Sequence, residues 1–109
     1  MADVIALPDS DFTLSIQLAM SIVAKRHMQK VSELPCLICE QMGLGASPAH
    51  VHHVFDSAAR SDFLTVPLCP AHHTGPEGFH GLGEREFNRR YKTTEADLLA
   101  MTLEKLARQ

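Results

Sequence analysis

Val66-Pro67-Leu68-Cys69-Pro70-Ala71-His72-His73 runs directly into Thr74-Gly75-Pro76-Glu77-Gly78-Phe79-His80-Gly81, which sets one thiol and three imidazoles close together. Upstream stand Cys36-Leu37-Ile38-Cys39 and His50-Val51-His52-His53. These segments hold all three cysteines and six of the seven histidines of a 109-residue chain. Nitrogen and sulfur donors gathered in this way point to bound metal, and their number points to two sites.

Two thiols separated by two residues can grip one ion from a tight turn, and Cys69-x-x-His72 offers a second such pair. Cys36, Cys39, Cys69 and His72 then make a closed Cys3His set, the tetrahedral environment of structural zinc. His72 and His73 are adjacent, so their roles are exchangeable at this level. The competing reading is a redox CxxC beside a lone buried Cys69, but no βαβ pattern surrounds it. His52, His53, His73 and His80 remain. Neighbouring side chains on a strand face opposite ways, so one of His52 and His53 can ligate a second ion while the other approaches a substrate. His73 and His80 can complete that site with neutral nitrogens and open coordination positions, which catalysis requires and structural sites avoid. His50 reads as an exposed loop residue.

The chain that must position these groups is expected to form one domain over residues 1–109. Trp is absent and aromatic residues are 6% of the total, so a structural metal would supply folding energy that large side chains do not. Three cysteines cannot all pair internally and no signal-peptide pattern opens the chain, so reduced thiols in the cytoplasm are expected. No apolar run reaches the ~20 residues of a membrane span. A net charge of −3 argues against coating nucleic acid by bulk electrostatics, although bound divalent ions would add positive charge where phosphates sit. Lys25, Arg26 and Lys30, and again Arg85, Arg89, Arg90 and Lys92, read as solvated helix faces.

Residues 1–8 lack periodicity and are expected to fray, with Asp9, Ser10 and Asp11 offering N-cap side chains. Phe12, Leu14, Ile16 and Leu18 alternate like a strand, yet Phe12, Ile16, Ala19, Met20, Val23, His27, Val31 and Leu34 keep helical spacing up to Pro35. The spacing predicts a helix over 11–33 with His27 as an ordinary member. A Gly- and Pro-containing loop over 41–48 leads to a strand over 49–55 and a second over 63–66, stopped by Pro67. A short helix is predicted near Pro70, carrying His72 and His73, with glycines limiting it. Further helices are predicted over 84–91 and, after the capping box Thr94-x-x-Asp97, over 95–108, with Leu98, Leu99, Met101, Leu103 and Leu106 as its core stripe. The fold class is α+β: a small zinc-stabilised core over 34–91 between an N-terminal long helix and C-terminal helices.

The order CxxC, His-His on a strand, a strand ending in CxxH with an extra His, then a further His resembles the HNH, or ββα-metal, nuclease superfamily. Closer still is the phage-type recombination-enhancement, RecA-dependent nuclease family. The similarity rests on Leu34-Pro35-Cys36-Leu37-Ile38-Cys39, His52-His53-Val54, Leu64 to Cys69, His72-His73-Thr74-Gly75, Phe79-His80-Gly81-Leu82-Gly83 and Glu86-Phe87. It implies an HNH-like core and a DNA endonuclease of phage or bacterial recombination or repair. By position, His53 resembles the general base, while His52, His73 and His80 would hold a catalytic Mg2+ or Mn2+. Asp62 lies where the superfamily often has an Asn that orients the base; capping or turn formation is its alternative role. The gap from His73 to His80 exceeds the superfamily's commoner spacing. The resemblance implies single- or double-stranded DNA as partner and adds a recombinase filament, although the sequence carries no lysine-rich arm to support that dependence. Arg60 is the only cation of the 56–62 connection. A non-catalytic, zinc-stabilised module that binds nucleic acid or protein is the rival reading. It is favoured by the acidic balance and opposed by four histidines that a structural zinc domain does not need.

Overall fold

A computed structural model describes residues 9–57 and 61–109, with side chains from residue 12. The expectations for residues 1–8, for the capping side chains at 9–11 and for Arg60 lie outside it. The architecture is α+β: helices around one two-stranded antiparallel sheet. Helix α1 spans Asp9–Ser32. Its C-terminal part packs on the body through Ala24 and Val31, followed by buried Leu34, and His27 lies against Phe63 with ring centroids 5.2 Å apart. Phe12, Ile16, Met20 and Val23, expected on the core face, are exposed instead. Periodicity located a helical face correctly, but among the described residues only its C-terminal half packs tightly, while Ile16 and Met20 border an open cavity opposite Ser61, Asp62 and Phe63.

After Pro35 the chain turns at once into α2, Leu37–Gln41, a single turn that the sequence did not suggest. Cys36 caps it: its Sγ accepts the Cys39 N–H at 3.5 Å. Strand β1, His50–His53, pairs with β2, Thr65–Leu68, in the register His50↔Leu68, Val51↔Pro67, His52↔Val66 and His53↔Thr65. Pro67 therefore lies within the second strand and does not stop it. A two-stranded sheet has only edge strands, and an edge position that makes no ladder donation tolerates a missing N–H. Between the strands a 3₁₀ turn, Val54–Asp56, places Phe55 and Asp56 at φ 57° and 53°, a left-handed conformation unusual for such side chains.

Helices α3, Pro70–His73, and α4, Phe79–Leu82, are single turns, followed by α5, Glu84–Tyr91, and α6, Glu95–Ala107. His80 thus sits on a short helix of its own, beyond the glycines expected to limit the helix at Pro70. The capping box of α6 forms in full: Thr94 accepts from the Asp97 N–H at 3.1 Å, and Asp97 accepts from the Thr94 N–H at 3.1 Å. The buried stripe of α6 is not the leucine set alone. Glu95, Leu98 and Thr102 are buried, Leu99, Met101 and Leu106 are half-buried, and Leu103 is exposed. Two polar members disguise the true stripe.

The core lies between the hairpin and the helices: Leu37, Ile38, Val54, Val66, Leu68, Phe87 and Leu98 are fully buried together with the cysteines. Phe87 touches the rings of Tyr91 and Phe79, with centroids 4.8 and 5.3 Å away. Phe87→Ala should lower stability by about 3–5 kcal/mol, the cost of a large buried aromatic plus the cavity it leaves, read from urea unfolding.

Candidate active site and metal centres

Cys36 and Cys39 come from the start of α2, Cys69 from the end of β2 and His72 from α3. Nδ1 of His72 lies 3.7, 3.4 and 3.3 Å from Sγ of Cys36, Cys39 and Cys69, and the Cys39 and Cys69 sulfurs are 3.6 Å apart. A tetrahedron with zinc–sulfur bonds near 2.3 Å and zinc–nitrogen bonds near 2.0 Å has edges of about 3.5–3.8 Å, within a few tenths of an ångström of these separations. The four donors are spaced for one ion, all lie within 4.8 Å of one another and all are buried, so the cluster can hold a metal such as zinc. Burial, before the hydrogen bonds and sulfur neighbours that modify it, pushes the Cys36 thiol up to about 11. A thiol this reluctant to ionise needs a cation beside it to become a ligand, and a bound ion inverts that preference. Burial raises and hydrogen bonds lower the Cys69 thiol, with a net downward result; burial lowers His72. His73 is not in this cluster, which separates the two adjacent imidazoles.

His52, His73 and His80 form the second group, each offering a nitrogen within 4.8 Å of the others. Their ring centroids are 4.9–5.2 Å apart. The long gap between His73 and His80 closes because α4 doubles back on α3. A Cβ on Gly78 would lie 2.6 Å from the His72 carbonyl carbon, and one on Gly81 would lie 2.1 Å from the Gly75 oxygen. Only glycine permits that approach. Burial first, then the neighbouring imidazoles, lowers His52 and His73 to about 4. Both are neutral near pH 7, the form that ligates a cation.

Glu95 is the residue the sequence reading missed. It opens α6, is 5% exposed, and its Oε2 accepts from Nε2 of His52 at 2.8 Å while its Oε1 accepts the Phe55 N–H at 3.0 Å. Because His52 is held neutral, the contact is an N–H···carboxylate hydrogen bond and not an ion pair. Burial raises the Glu95 carboxyl. With Nε2 engaged, His52 retains Nδ1, which is buried and has no hydrogen-bond partner. A buried nitrogen without a protein partner, beside two further imidazoles, fits the donor set of a cation site. The only sequence signal for Glu95 was an acidic residue in a first turn, which ordinary helix-dipole reasoning already explained.

His53 faces the other way from His52, and its Nε2 lies 2.9 Å from Oδ1 of Asp62. The Asp62 carbonyl also accepts from the Thr65 hydroxyl at 3.1 Å, so turn formation and the contact to His53 coexist. His50, read as a loop residue, is exposed but on β1, and its Nδ1 lies 3.2 Å from Nδ1 of His73. A cleft of about 510 Å³ is bordered by His52, His53, His80, Asp56, Glu84 and Glu95. Among the described residues no Lys or Arg lines it, so its own charge repels phosphate.

A family model for recombination-enhancement, RecA-dependent nucleases matches residues 20–107. The chain belongs to this family. No curated protein and no solved structure matches it. Membership makes this nuclease a nucleic-acid-cleaving enzyme of recombination in general terms, and nucleic acid its substrate class. None of the described helices of the nuclease is long and apolar enough to cross a membrane.

Removal of one thiol from a closed four-donor site should release its ion and couple to unfolding. Cys36→Ser is expected to lower zinc content below one equivalent per chain and to depress the melting temperature by well over ten degrees. Unchanged zinc and an unchanged melting temperature would exclude Cys36 from the site.

Proposed function

We propose that the chain is a metal-dependent endonuclease of the HNH type that hydrolyses DNA phosphodiester bonds, acting in the cytoplasm as a single domain in phage or bacterial recombination or repair. The observation that carries this reading is the His53–Asp62 pair beside a three-imidazole cluster, with His52, His53 and His80 bordering one cleft. On this reading His52, His73 and His80 hold a divalent Mg2+ or Mn2+, and Cys36, Cys39, Cys69 and His72 hold structural zinc. A divalent ion in the imidazole cluster supplies positive charge against the phosphate as charge develops on it. The acidic lining of the cleft supports the need for such an ion.

Each protein group then has a defined task. Asp62 accepts the proton-bearing Nε2 of His53, which sets the tautomer and leaves the lone pair on Nδ1. Nδ1 takes the proton of the attacking water as oxygen adds to phosphorus and the bond to the leaving oxygen breaks. Glu95 fixes the ring of His52 through Nε2 and so aims Nδ1 at the cluster, a carboxylate–histidine arrangement that orients ligands in metal sites. Glu95 also binds the Phe55 N–H, which stabilises the left-handed turn following the two histidines.

Nicking of supercoiled plasmid with Mn2+ tests the assignment. His53→Ala should keep the fold and both metals while losing ~10²–10⁴-fold in rate, the usual worth of a general base. Activity within a few-fold of the parent would remove His53 from that role.

Ligand and base separate in a metal titration. Glu95→Gln and His80→Ala should bind Mn2+ about 10–100-fold more weakly, as loss of ligand support does elsewhere, and should recover activity as Mn2+ is raised. His53→Ala should not recover at any Mn2+ concentration. Parent-like Mn2+ affinity in both Glu95→Gln and His80→Ala would contradict the ligand assignment.

A further inference from the structure

The N-terminal part of α1 presents two apolar sides, and the body of the protein accounts for only one. Ile16, Met20 and Ala24 border a cavity of about 520 Å³ that Ser61, Asp62 and Phe63 close from the other side. Farther along the same face His27 and Val31 pack on the body. The opposite face carries Leu14, Leu18 and Ile22, which are 56%, 65% and 50% exposed. A solvated helix face carries charge, yet residues 12–24 include no Asp, Glu, Lys or Arg. Only Thr13, Ser15, Gln17 and Ser21 are polar there, and an uncharged helix with apolar residues on two sides is suited to a covered setting.

The outward face reads the same in both directions. Asp11, Leu14, Leu18, Ile22 and Lys25 follow one another at intervals of three, four, four and three residues, which keeps them on one stripe of an α-helix. In an antiparallel pair centred on Leu18, Leu18 meets itself, Leu14 meets Ile22, and the position of Asp11 meets Lys25. A parallel pair would set like charges against each other. The stretch offers no cation to nucleic acid, so DNA is not its occupant. We propose that this stripe is a self-association surface, on which a second copy of the chain docks through an antiparallel α1–α1 seam. The inference is independent of the reading of the histidine site.

A seam of one helix face is smaller than the ~800 Å² per partner of a standard interface, so association in the micromolar range is expected. Sedimentation equilibrium of the zinc-loaded full chain, over about 5–200 µM, tests it. The parent should pass to a species of twice the 12.0 kDa chain mass. Leu18→Glu should raise the dissociation constant at least tenfold, with zinc content and circular dichroism unchanged because Leu18 is exposed. Lys25→Glu should also weaken the dimer, and Asp11→Lys combined with Lys25→Glu should restore it. A parent that stays monomeric throughout would overturn the proposal and leave the face to a different partner. A dimer that persists in Leu18→Glu, or a charge swap that fails to restore association, would overturn the antiparallel seam.

Discussion

Four donors drawn from two turns must meet at tetrahedral spacing, and the arrangement of the whole centre follows from that requirement. Cys36 and Cys39 fix the start of α2, while Cys69 and His72 fix the junction of β2 and α3. Clamping these turns together ties the segment before the hairpin to the segment after it. A two-stranded sheet with a core of a few aliphatic residues and Phe87 has little burial to draw on. An ion held by the four donors would supply in ligand bonds what apolar area does not, and would couple occupancy of this cluster to folding.

The second group of histidines inherits its geometry from the first. His72 faces the cysteines and His73, the next residue, faces His52 and His80, so one helical turn serves both clusters. Likewise β1 sends His52 into the interior and His53 toward Asp62, by the alternation of a strand. Burial holds His52 and His73 neutral, which suits them to a cation and leaves the cleft's charge to its carboxylates. On the proposed function, a divalent ion held there would offset the carboxylates and draw in a phosphodiester.

Much of this was legible because metal ligands announce themselves by spacing. CxxC with CxxH, paired histidines on a short strand and the capping box at Thr94 each translate directly into local geometry, and the structure brings the corresponding residues together. The places where reading failed have physical causes. Pro67 looked like a strand terminator, but an edge strand tolerates it. The stripe of α6 was sought among leucines, whereas Glu95 and Thr102 occupy buried positions, Glu95 with partners from distant segments and Thr102 donating to the Leu98 carbonyl one turn back in the same helix. Glu95 could not be singled out because its partners, His52 and Phe55, lie some forty residues away in the chain. The apolar period of α1 was real, yet periodicity does not say whether the covering surface belongs to the same chain.

On the proposed function one small fold would hold two chemically distinct ions, zinc among thiols and a divalent ion among imidazoles. Anomalous X-ray diffraction at the zinc and manganese edges, from crystals of the zinc-loaded protein soaked in Mn2+, locates each element separately. A zinc peak enclosed by Cys36, Cys39, Cys69 and His72 is expected, with a manganese peak within reach of His52, His73 and His80. Manganese bound elsewhere, or no manganese beside those three imidazoles, would contradict it.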